Sequence, residues 1–261
     1  MAERGEPFPA DWEPPSNFEE RLATGLIPAP LYWRLRAWRE RRRGEREIAL
    51  LPFLADARRI SIDAGANKGV YTYWLAKHSR HVHAFEPNPK IFRILKAGAG
   101  RAPGVTVSPV ALSDARGRAV LRVPRTERGY SNQRATLHAE IPGRAYGELE
   151  VETRRLDDAG IGDVGFIKID VEGHELAVLD GAAETIRRDR PVLLIEIEEI
   201  HNPIPIETAL ARVCDLGYAA FAMIRGTLTT IERFSPEAHH RTPADRADYV
   251  FNFIFLPLEG D

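Results

Sequence analysis

Ile62-Asp63-Ala64-Gly65-Ala66-Asn67-Lys68-Gly69 is the stretch that decides the fold. Arg59 to Ala64 reads as a strand, and the two glycines that follow allow a sharp turn into a helix from Gly69 to His78. A strand that enters a helix through a glycine turn opens a parallel α/β unit, and the chain repeats that unit downstream. His81 to Glu86 is a second strand, stopped by Pro87, followed by a helix from Asn88 to Ala97 and a third strand from Val105 to Ala111. Phe166 to Asp170 is the fourth strand, with a helix from about His174 to Ala183, and Val192 to Ile197 is the next. A helix from Ile206 to Leu216 and late strands at Tyr218 to Ile224 and Tyr249 to Leu256 complete the series. The alternation predicts a mainly parallel sheet with helices on both faces and its ligand site at the carboxyl ends of the strands.

Two segments stand outside this rhythm. Polar β-rich runs at Ala119 to Pro124 and Glu148 to Thr153 flank a Gly, Arg and Ser-rich loop, Arg125 to Gly147, and together read as a hairpin insertion at about 119–153. Gly129, Gly143 and Gly147 make that loop a candidate lid over a substrate, with Arg125, Arg128 and Arg134 available to an anionic group or simply solvated. Before Arg59, residues 1–58 form an amino-terminal arm broken by prolines at 7, 9, 14, 15, 28 and 30, then a helical run from Leu31 to Leu51. There Leu31, Leu35 and Trp38 make an apolar stripe expected to pack on the core. The arginines from Arg34 to Arg46 form a solvated face that could also touch a membrane surface, the less favoured reading. The domain proper is 59–261.

Composition narrows the function classes. A net charge of −2 over 261 residues gives no general attraction to nucleic acid or anionic lipid. One cysteine, Cys214, excludes an intrachain disulfide and a cysteine-based zinc site. The first fifteen residues lack the apolar core of a signal peptide, and no run reaches the ~20 apolar residues of a membrane span, so a cytoplasmic location is expected.

The chemistry-bearing residues fall at strand ends. Gly65 and Gly69 with Asn67 between them depart from the G-x-G-x-x-G dinucleotide fingerprint, which argues against nicotinamide. Glu86 ends the second strand about twenty residues beyond Asp63, where an acid accepts hydrogen bonds from ribose hydroxyls. Ser113 and Asp114 could meet an adenine edge or cap a turn. The densest run is Phe166-Ile167-Lys168-Ile169-Asp170-Val171-Glu172-Gly173-His174-Glu175. A helix start explains Glu175, while a neutral His174 beside Asp170 and Glu172 is suited to proton transfer.

In this order DAGANKG, EPNP, VALSD, FIKIDVEGHE and LLIEI resemble the FkbM family of methyltransferases that use S-adenosylmethionine (SAM), over roughly Arg59 to Ile197. The resemblance implies a Rossmann-like class I methyltransferase, an α/β fold with a seven-stranded, mainly parallel sheet whose last strand is antiparallel. It also implies SAM across the ends of the first three strands. Asp63, Gly65, Asn67 and Gly69 would then surround the methionine part and Glu86 the ribose, with Ser113 or Asp114 near adenine; the product would be S-adenosylhomocysteine (SAH). The reaction it implies is O-methylation of a small molecule, secondary metabolite or glycan. No Asn-Pro-Pro-aromatic motif follows the fourth strand, which disfavours amide and adenine N-methylation.

An alcohol acceptor must lose its proton as the methyl group arrives. Glu172 or His174 is the expected base, with Asp170 orienting the site. The rival is a divalent metal on Asp170, Glu172 and Glu196, not favoured because these residues have no diagnostic ligand spacing. A NAD- or nucleotide-sugar-binding oxidoreductase and a non-catalytic SAM-binding or partner-binding protein are the readings outside methyl transfer.

Overall fold

The computed structural model describes residue 14 and residues 27–126, 129–131, 135–137, 145–201 and 204–258. Five parallel strands form the centre of the main sheet: β1 (Ile60–Ala64), β2 (His81–Phe85), β3 (Val105–Ser108), β8 (Val164–Ile169) and β9 (Val192–Glu196). The remaining strands of this sheet are β10 (Tyr218–Ile224), β11 (Thr227–Thr230) and β12 (Asn252–Pro257), in the order β11-β10-β12-β9-β8-β1-β2-β3. Every residue of β8 is buried, as expected of a strand covered on both faces. β12 inserts antiparallel between β9 and β10.

The sheet therefore has eight strands where seven were expected. The addition is β11, which pairs antiparallel with β10 through a turn at Arg225 and Gly226, both with positive φ (51° and 81°). Two consecutive left-handed residues are the mark of a tight two-residue hairpin.

Helices cover both faces. α1 (Ala29–Arg43), α2 (Leu51–Leu54), α3 (Val70–His78) and α4 (Pro89–Ala99) precede the insertion, and α5 (Glu175–Gly181), α6 (Ala183–Asp189) and α7 (Ile206–Cys214) follow it. Asn88 caps α4, its side chain accepting from the amides of Lys90 and Ile91, with Pro89 at the first helical position. Two apolar clusters result. One gathers Phe253, Leu193, Ile167 and Leu210, and the other Trp33, Trp74, Leu95 and Phe166.

Three local expectations are corrected. The third strand stops at Ser108 rather than Ala111, since Pro109 has no amide hydrogen for the ladder. Ala111–Leu112 form β4, which joins β7 (Tyr146–Arg154), β5 (Gly117–Thr126) and β6 (Gly129–Tyr130) in a second sheet, the insertion. The helix expected from His174 to Ala183 is two helices, broken at Ala182.

The stripe on α1 faces the other way. Leu31, Leu35 and Trp38 are 45%, 51% and 42% exposed, while Trp33, Arg36 and Ala37 are buried. Two indole hydrogen bonds fix this rotation: Trp33 Nε1 donates to the Gly69 carbonyl at 2.6 Å and Trp74 Nε1 to that of Ala37 at 3.1 Å. Helix α1 ends at Arg43 and a 3-10 turn spans Arg46–Leu50, so the long helix to Leu51 is not formed. Of the loop residues named as a lid, Arg128, Arg134 and Gly143 lie outside the described residues, as do residues 1–13 and 15–26 of the amino-terminal arm.

Candidate active site

The carboxyl ends of β1, β2, β8 and β9 open onto two cavities. One, of about 250 Å³, is walled by Glu86, Ala111, Leu112, Glu172, His174 and Glu196, with Leu121, Ala135 and Leu137 supplied by the insertion. The other, of about 600 Å³, runs beneath α1 and is walled by Asp63, Lys68, Tyr71, Lys168, Tyr249 and Arg246, among others. Glu45, Gly65, Asn67, Asp170 and Phe251 belong to both walls.

The turn after β1 is shaped by close approach. Gly65 has φ 77°, and a Cβ there would overlap the Asp170 carbonyl oxygen and lie 2.9 Å from the carbonyl carbon. Asn67, at φ 49°, donates its amide hydrogen to Glu86 Oε2 at 2.8 Å. The second oxygen of Glu86 accepts from the Asn88 amide at 2.8 Å. Glu86 is 7% exposed, and burial pushes its carboxyl up to about 7 against the pull of those two amides. Asp63 is buried as well, with Thr72 Oγ1 donating to it at 2.5 Å, and burial raises it to about 6.

A polar frame ties α1 to the sheet. Tyr71 Oη donates to Glu45 Oε2 at 2.5 Å, and Asn252 Nδ2 donates to the same oxygen at 3.0 Å. Buried Lys168 lies 3.5 Å from Asp170 Oδ2 and 5.0 Å from the Tyr71 ring centre. Burial works against its charge, but Asp170, Glu45 and Glu196 outweigh burial and raise its pKa.

Beyond β8 the chain turns through Glu172 (φ 54°) and Gly173 (φ 96°). His201 Nε2 sits 2.9 Å from Glu172 Oε2 and 3.5 Å from Glu198 Oε2. The hydrogen bonds to Glu172 and then Glu198 raise His201 to about 9. The same pair should lower Glu172, yet burial outweighs it and Glu172 is raised too. Asp170, Glu172 and Glu196 bring one carboxylate oxygen each within 4.8 Å of one another.

The structure thus gathers Asp63, Gly65, Asn67, Glu86, Asp170, Glu172, His174 and Glu196 around the two cavities. Gly69, Ser113 and Asp114 line neither. Gly69 is the residue before α3 and accepts from Trp33, while Ser113 Oγ is 2.8 Å from His174 Nε2 and 3.0 Å from Asp114 Oδ1. His174 therefore stands on the Glu86 side of the site. Glu45, Glu198, His201 and Tyr249 were missed by sequence reasoning; HN-x-x-x in a loop after a strand, or a glutamate after an arginine-rich helix, carries no local signature.

A sheet in this strand order, with a glycine turn after β1 and an acid after β2 facing one cavity, defines a class I SAM-dependent methyltransferase fold. The Methyltransferase FkbM domain matches residues 63–234. The chain belongs to the FkbM family of SAM-dependent methyltransferases. It is 30% identical to the hexuronic acid methyltransferase AglP of Haloferax volcanii, over 65% of this chain and 66% of that protein. It is also 30% identical to the 31-O-demethyl-FK506 methyltransferase FkbM of Streptomyces tacrolimicus, over 60% of this chain and 70% of that protein. A solved structure described as methyltransferase FkbM from Methylobacillus flagellatus KT shares the fold with TM-score 0.50 and 16% identity, covering 92% of this chain and 55% of that one. The chain spans about two thirds of the two curated relatives and just over half of the solved one. Family membership sets aside the nicotinamide and nucleotide-sugar oxidoreductase readings. Among the described residues no helix is long and apolar enough to cross a membrane.

Proposed function

We propose that the chain O-methylates a hydroxyl of a small molecule or sugar. The carrying observation is the meeting of three carboxylates, Asp170, Glu172 and Glu196, beside the glycine turn, where the acceptor must shed a proton. The relatives support the acceptor class, one being named for a hexuronic acid and the other for the 31-O position of FK506.

In this reading the adenosyl part of SAM occupies the smaller cavity, with Glu86 accepting from the ribose hydroxyls and Ala111, Leu112 and Leu137 flanking the adenine. The methionine part follows Gly65 and Asn67 toward the larger cavity, which takes the acceptor. Methyl transfer is an in-line displacement: the acceptor oxygen forms its bond to the methyl carbon as the sulfur–carbon bond breaks, and SAH leaves with the electron pair. The protein aligns the two reactants and excludes water. Glu172 receives the hydroxyl proton, directed by Asp170, and His201 holds Glu172 in place. His174, bonded to Ser113 beside the adenosyl cavity, positions the cofactor instead of acting as the base.

The deciding experiment presents the purified protein and labelled SAM to extracts of the producing organism, with the product located by mass spectrometry. A methyl ether on a small molecule or glycan is expected; a methyl ester would move the acceptor from a hydroxyl to a carboxylate. Label only on nitrogen or carbon would sink the proposal.

A further inference from the structure

We propose that the outward face of α1 docks on an anionic membrane surface, with Leu31, Leu35 and Trp38 entering the headgroup layer and the arginines around them meeting lipid phosphates. Large apolar side chains scattered singly over a surface are ordinary, but these three form one exposed row along a helix, the mark of an interaction surface. Phe53, 84% exposed, lies on α2, which packs on α3 beside α1. The row is held outward by the packing beneath it. Helix α1 lies against α3 and α4, its rotation is fixed by the indole bonds of Trp33 and Trp74, and Trp38 meets the Trp74 ring edge-on at 5.2 Å.

The charges around the row select what covers it. Helix α1 carries six arginines and a single acid, Glu40, in a chain whose net charge is −2. At about 3.6 residues per turn, Arg42 falls within the row, Arg34 and Arg41 along one side of it and Arg39 along the other. Arg34 and Arg42 are exposed and make no hydrogen bond or ion pair among the described residues. Elsewhere on the surface Arg58, Arg118, Arg188 and Arg212 each have an acid as partner. Glu40 sits on the inner side of α1, at the wall of the larger cavity, and pairs with Arg39. An apolar row that includes a tryptophan and is bordered by arginines is the pattern of a helix lying in a membrane interface, its apolar side chains at the acyl boundary and its guanidinium groups among the phosphates. A second copy of the chain fits badly, because two such faces brought together oppose arginine to arginine.

The inner side of the same helix, through Arg36, Glu40 and Arg43, walls the larger cavity, so docking brings that cavity to the bilayer. The use of this for an acceptor held at the membrane rests on the reading of that cavity as the acceptor's; the docking does not.

The test floats the full-length protein in density gradients with vesicles of phosphatidylcholine alone and of phosphatidylcholine mixed with phosphatidylglycerol. The chain should rise with the mixed vesicles and stay behind with phosphatidylcholine, and added salt should release it. Leu35→Glu, and separately Arg34→Glu combined with Arg42→Glu, should weaken binding roughly tenfold or more. SAH affinity by calorimetry should stay as in wild type, which shows that these variants are folded. Arg34→Lys combined with Arg42→Lys should keep the binding, since the headgroups respond to charge. Wild-type protein that floats with neither vesicle, or equally with both, overturns the proposal, as does a Leu35→Glu protein that floats like wild type. A dimer in sedimentation that Leu35→Glu dissolves gives the face to a second copy and overturns it too. Methyl transfer only to nitrogen or carbon overturns the O-methyl reading and leaves the docking standing if the chain still floats.

Discussion

Gly65 lies so close over Asp170 that any side chain at Gly65 would enter the space of the Asp170 carbonyl oxygen. The contact joins the carboxyl ends of β1 and β8, adjacent parallel strands whose two turns form the floor of both cavities.

Gly65→Val should therefore cost stability and cofactor binding together. The left-handed backbone alone costs about 1–2 kcal/mol for a side chain, and the overlap with Asp170 adds to it. A lower Tm and SAH binding too weak for calorimetry are the expected results. Wild-type affinity would show that the methionine part lies elsewhere.

Glu86→Ala should weaken SAH binding by about 1.5–3 kcal/mol, the range for hydrogen bonds to a charged acceptor. The wild-type affinity should also depend on pH. Burial raises Glu86 to about 7, so its protonated form lends stability to the ligand-free protein that is full below the ordinary glutamate value of 4.5 and lost as pH rises through about 7. Ribose hydroxyls prefer the ionised form, so SAH should bind more tightly as pH rises across that window, with proton release on binding. Glu86→Gln should flatten the profile. Calorimetry in buffers of different ionisation enthalpy measures both effects.

Glu172→Gln and His174→Ala should differ in kind. The first should lower kcat on the true acceptor by about 10²–10⁴-fold and leave SAH affinity nearly unchanged. The second loosens the contact with Ser113 and should raise the KM for SAM with little change in kcat. Equal losses of kcat in both variants would return His174 to proton transfer.

The insertion should respond to cofactor rather than to acceptor, because Leu121, Ala135 and Leu137 wall the cavity that holds Glu86. SAH should slow hydrogen exchange in β5 and β7. Leu137→Ala should weaken SAH by about 1 kcal/mol, the order expected for lost apolar contact. Unchanged exchange on SAH binding would detach the insertion from the cofactor.

Most of the sheet was legible because its strands are short apolar runs punctuated by Gly65, Pro87 and Gly173 at the ends that carry ligands. The parts that were not legible depend on distant partners. The rotation of α1 hangs on Trp33 and Trp74 finding carbonyls thirty-six and thirty-seven residues away, which outweighs the regular spacing of Leu31, Leu35 and Trp38. Glu45, Glu198 and His201 reach the site from loops, where no periodicity marks them. The β10–β11 hairpin did have a local sign, Arg225-Gly226, but a single glycine between polar residues reads equally as a loop.

Strand β12 is synthesised after β10 and β11, yet its place is between β9 and β10. A chain emerging from the ribosome therefore cannot extend its sheet in the order in which it is made. Until β12 arrives, β9 and β10 each present an unpaired edge, and Glu45 lacks the amide of Asn252 that helps moor α1 above the larger cavity. The larger cavity, whose wall includes Tyr249 and Phe251, is thus completed late in biogenesis, and the interval before it is when the nascent chain most needs shielding from aggregation.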